Sequence, residues 1–234
     1  MKSTPLLSIL IPCFNEIKTL DTIIGLINST SYPNKEIIVV DDFSTDGSRE
    51  KLVEFEKSNM VSKVICHKKN LGKGAAIRTA LNHSNGDILI IQDADLEYDP
   101  SEYELLINPI LQGKADVVYG SRFNSNNSRR VLYFWHSLAN KIITLLSNFF
   151  TNLNFTDIET CYKAFTKEII SQITIEENRF GFEPEVTAKI SKLRCDIYEV
   201  GISYYGRTYK QGKKITWKDG LSALRCIIKY NLFR

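Results

Sequence analysis

The 234-residue sequence predicts an α/β fold, with a mostly parallel central sheet, helices on both faces and a small C-terminal extension. Three observations carry that expectation. Continuous aliphatic runs such as IIVV (37–40) and ILII (88–91) suit strands covered on both faces. Through the first half, strand-length apolar runs alternate with segments of helical period. Polar residues then follow directly on those runs: Asn15 and Glu16, Asp41 and Asp42, Asp93 and Asp95, Ser121 and Arg122. In a doubly wound sheet, ligands sit beyond the carboxyl ends of the strands.

The elements follow in order. LSILIPCF (7–14) is a strand, and 16–29 has helical spacing at Ile17, Leu20, Ile23, Ile24 and Ile27. EIIVVDD (36–42) is a second strand, and Asp46 caps a helix over 48–58. VSKVICH (61–67) is a third strand, followed by a helix over 72–84. Strands over 87–95 and 115–123 flank a helix from about Pro100 to Gln112. The second half is less regular, with a long helical segment at 131–152, a strand at 159–165, a helix at 181–193 and an extended 195–206. A basic stretch (207–218) leads to a last helix with Trp217, Leu221, Leu224, Ile228 and Leu232 on one face.

Composition narrows the class. Hydrophobic residues make up 43% and charged residues 24%, and the net charge of +3 is too small to argue for nucleic acid. Five scattered cysteines without C-x-x-C spacing argue against a disulfide framework or structural zinc and for a reducing cytosol. MKSTPLLSILIPCFNE does not read as a signal peptide, since Ser8 and Pro12 interrupt its apolar run. No run of about 18 apolar residues marks a membrane span. The nearest, 131–150, contains His136, Asn140, Lys141 and Asn148 and reads as a buried or interfacial helix.

The segment ILIIQDADLEYDP (88–100) drives a buried strand into a cluster of negative charge. Carboxylates so placed are costly unless something positive meets them. Asp93 and Asp95, spaced i, i+2, can hold a hard divalent cation such as Mg²⁺ or Mn²⁺. A solvated acidic loop paired with lysines has the same pattern. NLGKGAA (70–76) puts Gly72, Lys73 and Gly74 at a helix mouth, where N–H groups and a lysine can face phosphate. It is neither a P-loop nor G-x-G-x-x-G, and a glycine-assisted helix start is its plainer reading. Arg122, Arg207, Lys213 and Lys214 add cations that can meet phosphate. There is no G-x-S-x-G or H-E-x-x-H.

As a set, IPCFNE (11–16), VVDDFSTDGS (39–48), NLGKG (70–74), QDADLEYDP (92–100) and GSRF (120–123) resemble family 2 glycosyltransferases, most closely the dolichol-phosphate mannosyltransferase branch. The likeness is strong over 7–123 and looser through TDIETCYKAF, FGFEPEV and SYYGRTYKQGKK. It implies a GT-A, Rossmann-like fold with a catalytic domain over 1–214. A nucleotide-sugar half covers about 1–123, an acceptor half about 124–214, and an amphipathic helix 215–234. Pro12, Phe14 and Glu16 then match the segment lining the nucleoside pocket, and Val40 and Asp42 the positions receiving base and ribose. Asp93, Ala94 and Asp95 match the metal and diphosphate motif, with Glu97 as a further metal ligand where relatives often carry glutamine. Arg122 matches an arginine near the transferred phosphate or sugar. Arg207 and Lys213 resemble a late basic pair that binds acceptor or diphosphate, and Lys73 joins the nucleotide-sugar set.

The activity so implied is metal-dependent, inverting transfer of a sugar from a GDP- or UDP-sugar to a polyprenyl phosphate. A hydroxyl of a glycan or glycolipid is the alternative acceptor. A lipid phosphate is already ionised, whereas a hydroxyl calls for a carboxylate base, for which Asp157, Glu183 and Glu185 are candidates. The terminal helix, with Lys218, Arg225, Lys229 and Arg234 around an apolar face, can lie on an anionic bilayer or dock on its own core. The expected location is cytoplasmic, with a peripheral position on the membrane face. Of the rivals, a sugar nucleotidyltransferase should open with a glycine-rich loop where PCFNE stands. A non-catalytic nucleotide-binding protein would tolerate loss of Asp93 or Asp95, and both are present.

Overall fold

The computed structural model describes residues 4–124, 130–131, 133–208, 212, 214 and 217–233. In chain order the elements are β1 (Leu7–Cys13), α1 (Leu20–Ser29), β2 (Lys35–Asp41), α2 (Ser48–Lys57), β3 (Lys63–Cys66), α3 (Lys73–Leu81), β4 (Ile88–Ile91), α4 (Tyr103–Leu111) and β5 (Val117–Ser121). They continue with α5 (Phe134–Thr151), β6 (Lys163–Thr166), α6 (Lys167–Ile170), α7 (Phe182–Ile190), β7 (Ile197–Gly201) and α8 (Trp217–Leu232). A 3-10 turn, Pro100–Glu102, precedes α4 and is capped by the Asp99 carboxylate.

The seven strands form one sheet in the order β3-β2-β1-β4-β6-β5-β7. All neighbours are parallel except β6, which runs antiparallel between β4 and β5. Ile9, Val39 and Leu89 are fully buried, as expected for strands covered on both faces. Helices on both faces complete the α/β architecture.

Several boundaries differ from the sequence expectation, each for a physical reason. The first helix starts at Leu20 rather than residue 16, because Asn15 takes a left-handed φ of 52° and the chain turns there. Ser48 Oγ accepts from the Glu16 N–H and Asp46 Oδ2 from the Ile17 N–H, which pins that turn to the start of α2. Strand β4 ends at Ile91 rather than residue 95, and the acidic loop leaves the sheet from Gln92. Helix α8 forms, but it buries Ala223, Cys226, Ile227 and Tyr230, while Trp217, Leu221, Ile228 and Leu232 are exposed. The small residues let α8 approach α7 and α5, and Tyr230 Oη donates to Glu177 across the contact. Among the described residues, no helix is long and apolar enough to cross a membrane.

Candidate active site

The site lies beyond the carboxyl ends of β1, β2, β4 and β5. Gln92, fully buried, accepts from the hydroxyls of Tyr103 (2.9 Å) and Tyr162 (2.7 Å) and so fixes the root of the acidic loop. Beyond it the two aspartates meet different cations. Asp93 pairs with Lys73 at 3.1 Å, and Asp95 with the Arg207 guanidinium at 2.5 Å. Ala94 between them is buried, and its carbonyl accepts from Thr19 Oγ1 at 2.8 Å.

Burial raises the Asp93 carboxyl's pKa, but the Lys73 charge, hydrogen bonds from Cys161 and Lys73 and the Arg207 charge together hold the group below its ordinary range. Asp95 is pushed up to about 7, by burial first and then by the charges of Asp93 and Glu97, against the pull of Arg207. The loop therefore carries more negative charge than its own cations neutralise. That excess fits a divalent cation at Asp93 and Asp95, since Mg²⁺ needs only one or two carboxylates when phosphate oxygens complete its shell. No group of three or more His, Cys, Asp or Glu side chains converges as a ready metal cage among the described residues.

Glu16 joins this centre from the β1 turn. Its carboxylate pairs with Arg207 at 3.0 Å and with Lys214 at 2.6 Å, and Lys214 also donates to the Phe14 carbonyl. Residues from both ends of the chain thus close over Asp95. Pro12 sits on β1 opposite Val40 of β2, and Val40 is fully buried. Lys213 lies outside the described residues.

The structure gives five of the expected features partners within the protein. The Asp42 carboxylate accepts from the N–H groups of Leu71 (2.8 Å) and Gly72 (2.7 Å) and meets His67 Nδ1 at 2.7 Å, which clamps the loop after β3. The mouth of α3 packs closely against the loop at 177–178. The Ala75 N–H donates to the Asn178 carbonyl, and a Cβ at Gly72 or Gly74 would collide with the 177–178 backbone, so these glycines serve close chain packing. Lys73 instead points between Asp93 and Glu183. Glu97, expected as a metal ligand, accepts from Tyr204 Oη (2.8 Å) and the Arg207 N–H (2.7 Å) and anchors the basic segment.

The last two are candidate bases. Asp157 is fully buried and gripped at two points by Arg122, through Nε (2.6 Å) and Nη2 (2.8 Å), which makes it a holder of that arginine. Glu185 accepts from the N–H groups of Glu176 and Glu177 and from Lys189, and so ties down the loop before α7. Glu183 remains. One of its oxygens pairs with Lys73 at 3.2 Å, and the other is buried without a partner.

Sequence reasoning missed three residues. Phe43, 41% exposed at the end of β2, holds a φ of 69°, a strained conformation for a bulky side chain and one that clusters at ligand sites. Glu159 and Lys163 lie on the segment that enters β6, close to Glu183. The unusual E-T-C-Y-K string was the available signal, but nothing local said that it would be buried.

Comparison with known proteins follows the same lines. The profile described as "Glycosyl transferase family 2" matches residues 8–174. Glycosyltransferase AglJ of Haloferax volcanii is 29% identical over 200 residues, covering 85% of this chain and 63% of that protein. The dolichol-phosphate mannosyltransferase of Pyrococcus furiosus is 29% identical over 215 residues, covering 89% of this chain and 60% of its own. The undecaprenyl-phosphate 4-deoxy-4-formamido-L-arabinose transferase of Aeromonas hydrophila is 28% identical, covering 84% and 59%. The chain therefore spans about three fifths of the length of these curated relatives. Glucosyl-3-phosphoglycerate synthase from Mycobacterium tuberculosis, solved with Mn²⁺, UDP and phosphoglyceric acid, superposes with a TM-score of 0.76 at 18% identity over the whole of this chain and 81% of its own. The same GT-A fold is present here. With the profile match spanning most of the sheet and the aspartate loop, the chain belongs to glycosyl transferase family 2.

Proposed function

We propose that the chain is the catalytic unit of an inverting, divalent-metal-dependent glycosyltransferase that moves a sugar from a GDP- or UDP-sugar to a polyprenyl phosphate. The observation that carries this reading is the meeting of Asp95 and Arg207 at 2.5 Å. It joins the acidic loop after β4 to the late basic segment in one charged centre. Two of the relatives are named for transfer to dolichol phosphate or undecaprenyl phosphate, and the glucosyl-3-phosphoglycerate synthase holds Mn²⁺ with UDP.

In this mechanism Asp93 and Asp95 would hold the divalent cation, whose charge would offset that of the departing diphosphate. Arg207 and Lys214, now paired with carboxylates, turn to the diphosphate oxygens when the donor enters. Arg122, locked by Asp157 and stacked 5.2 Å over the Tyr204 ring, meets the acceptor phosphate. Asp157 and Glu185 are committed to other partners, which suits an acceptor that arrives ionised. A hydroxyl acceptor is the second reading, favoured by the unpartnered oxygen of Glu183 as its base.

A lipid acceptor brings the enzyme to a bilayer, and α5 and α8 supply the surface for it. Trp135, Leu145 and Phe149 on α5 and Trp217, Leu221 and Leu232 on α8 are exposed on two helices that pack together. Lys141 and Lys218 beside them favour an anionic, cytoplasmic-face membrane. Flotation with anionic liposomes checks this: Trp135→Ser with Trp217→Ser should lose co-flotation at unchanged melting temperature, and equal flotation would sink the membrane face.

The activity test is transfer of labelled sugar from pooled UDP- and GDP-sugars, with Mn²⁺, to polyprenyl phosphate in detergent. Label should enter the organic phase with the unmodified protein and not with Asp95→Asn. Label in soluble product with nucleoside diphosphate release would move the reading to a hydroxyl acceptor. No nucleotide-sugar turnover at all would overturn it.

A further inference from the structure

We propose that Glu159, Glu183 and Lys163 form a subsite beneath the Asp93–Asp95 loop that holds the donor's sugar by its hydroxyls, with Glu159 as the specificity-determining residue. The inference rests on the glycosyltransferase reading and adds where, and by which groups, the sugar is read.

The fold puts these residues together from two distant elements. Strand β6 is inserted antiparallel between β4, which ends in the aspartate loop, and β5, which ends in Arg122. The chain entering β6 therefore runs between the two halves of the site. Glu183 enters from the first turn of α7. Lys73 links this floor to the metal motif, with Nζ 3.1 Å from Asp93 and 3.2 Å from Glu183. Glu183 is thus separated from the aspartate loop by a single lysine side chain.

The floor has unmet hydrogen-bonding capacity. Among the described residues, four buried side-chain oxygens lack a partner, and three belong to Glu159, Thr160 and Glu183. Glu183 as a residue is only 3% exposed. Leaving such atoms buried without a partner is costly, and native proteins tolerate them where a ligand or catalytic role supplies the partner. Lys163, fully buried, donates to the carbonyls of Ile158 and Thr160 and sits 4.6 Å above the Tyr119 ring.

The charge balance selects the ligand class. Glu183 is paired with Lys73 and Asp157 with Arg122, while Lys163 donates to a backbone carbonyl, so the ionic groups of this floor already have partners within the protein. A neutral polyol fits, because each hydroxyl both donates and accepts. Burial first, and the Glu183 charge second, push the Glu159 carboxyl up to about 8. At neutral pH it carries a proton and can itself donate to a sugar oxygen.

The test measures binding rather than turnover. Affinities for UDP, GDP and a panel of UDP- and GDP-sugars, with Mn²⁺, are determined by calorimetry for the unmodified chain, Glu159→Gln and Glu159→Ala. For at least one sugar, the unmodified chain should bind the nucleotide-sugar more tightly than the bare nucleotide. Glu159→Ala should lose about tenfold of that increment. Glu159→Gln, which copies the shape and hydrogen bonding of a protonated carboxyl, should keep it within about threefold, and bare-nucleotide affinity should match in all three. An increment unchanged in Glu159→Ala overturns the subsite, as does a parallel fall in bare-nucleotide affinity, which would mark a structural role. Absence of any sugar increment in the unmodified chain also overturns it. Absence of nucleotide binding altogether would instead overturn the glycosyltransferase reading beneath it.

Discussion

The two halves of the site handle their charges differently. In the first, the carboxylates behind β2 are satisfied within that half. Asp41 accepts from the Ser44 N–H and Arg49, Asp42 from two backbone N–H groups, and Asp46 from Ser48 and Ile17. In the second, Glu159 and Glu183 keep buried oxygens without partners, and Arg207 and Lys214 cross the molecule to reach Asp95 and Glu16. The first half is a finished frame. The second leaves buried carboxylate oxygens unpaired, and such breaks of local rules are usual at functional sites.

The largest expected effect comes from the centre that joins the halves. Asp95→Asn removes the charge that meets Arg207 and should lower sugar transfer by about 100- to 1,000-fold. Its melting temperature should be equal or higher, because a strained buried charge is lost. A melting temperature that falls with activity would make Asp95 part of the frame.

Asp42→Ala probes the opposite case. Removing a buried carboxylate with two backbone donors and a histidine partner should cost about 3 kcal/mol in denaturant unfolding. Nucleotide affinity of the folded protein should barely change. Lost nucleotide binding at unchanged stability would return Asp42 to the ribose.

Arg207→Ala removes the guanidinium from Glu16, Asp95 and Glu97. Mn²⁺ alone, followed by calorimetry, should then bind about tenfold more tightly, because a competing cation is gone. Binding of the nucleoside diphosphate in the presence of Mn²⁺ should weaken, since that cation is no longer there to receive it. Equal Mn²⁺ affinity would mean that Arg207 and the metal do not share the carboxylates.

The smallest effect reads the acceptor half by pH. Glu159 faces Glu183, Lys163, Arg122 and Asp157, and its folded-state pKa is raised to about 8. The folded protein holds a proton that the unfolded chain has released, so this stability is full below the ordinary glutamate range and is lost as pH rises through about 8. Lys163, pushed down to about 8 chiefly by burial, still holds its proton through most of that window. Unfolding free energy should fall by on the order of 1 kcal/mol between pH 5.5 and 7.5. Glu159→Gln should flatten that slope, and an unchanged slope would place the titration elsewhere.

How much could be read beforehand follows from how local each feature is. The alternation of aliphatic runs with helical periods located every major element of the described chain, because side-chain periods of 2 and 3.6 are properties of a few consecutive residues. The end of each strand exposed Glu16, Asp93, Asp95 and Arg122 by the same short-range logic. Boundaries failed where a distant partner intervened, as at Asn15 and Glu16, where the α2 start pulls the chain into a left-handed turn.

The sequence by itself determined the sheet-and-helix pattern, the two aspartates after β4 and the basic segment near the end. Only the tertiary structure decided that β6 inserts antiparallel between β4 and β5, that Lys73 meets Asp93 while Arg207 meets Asp95, and that Glu183 reaches Lys73 with its second oxygen buried. It also decided which face of α8 turns inward. Strand order and helix docking bring together residues far apart in the chain, and the electrostatics of a buried carboxylate depend on which cation that arrangement delivers to it.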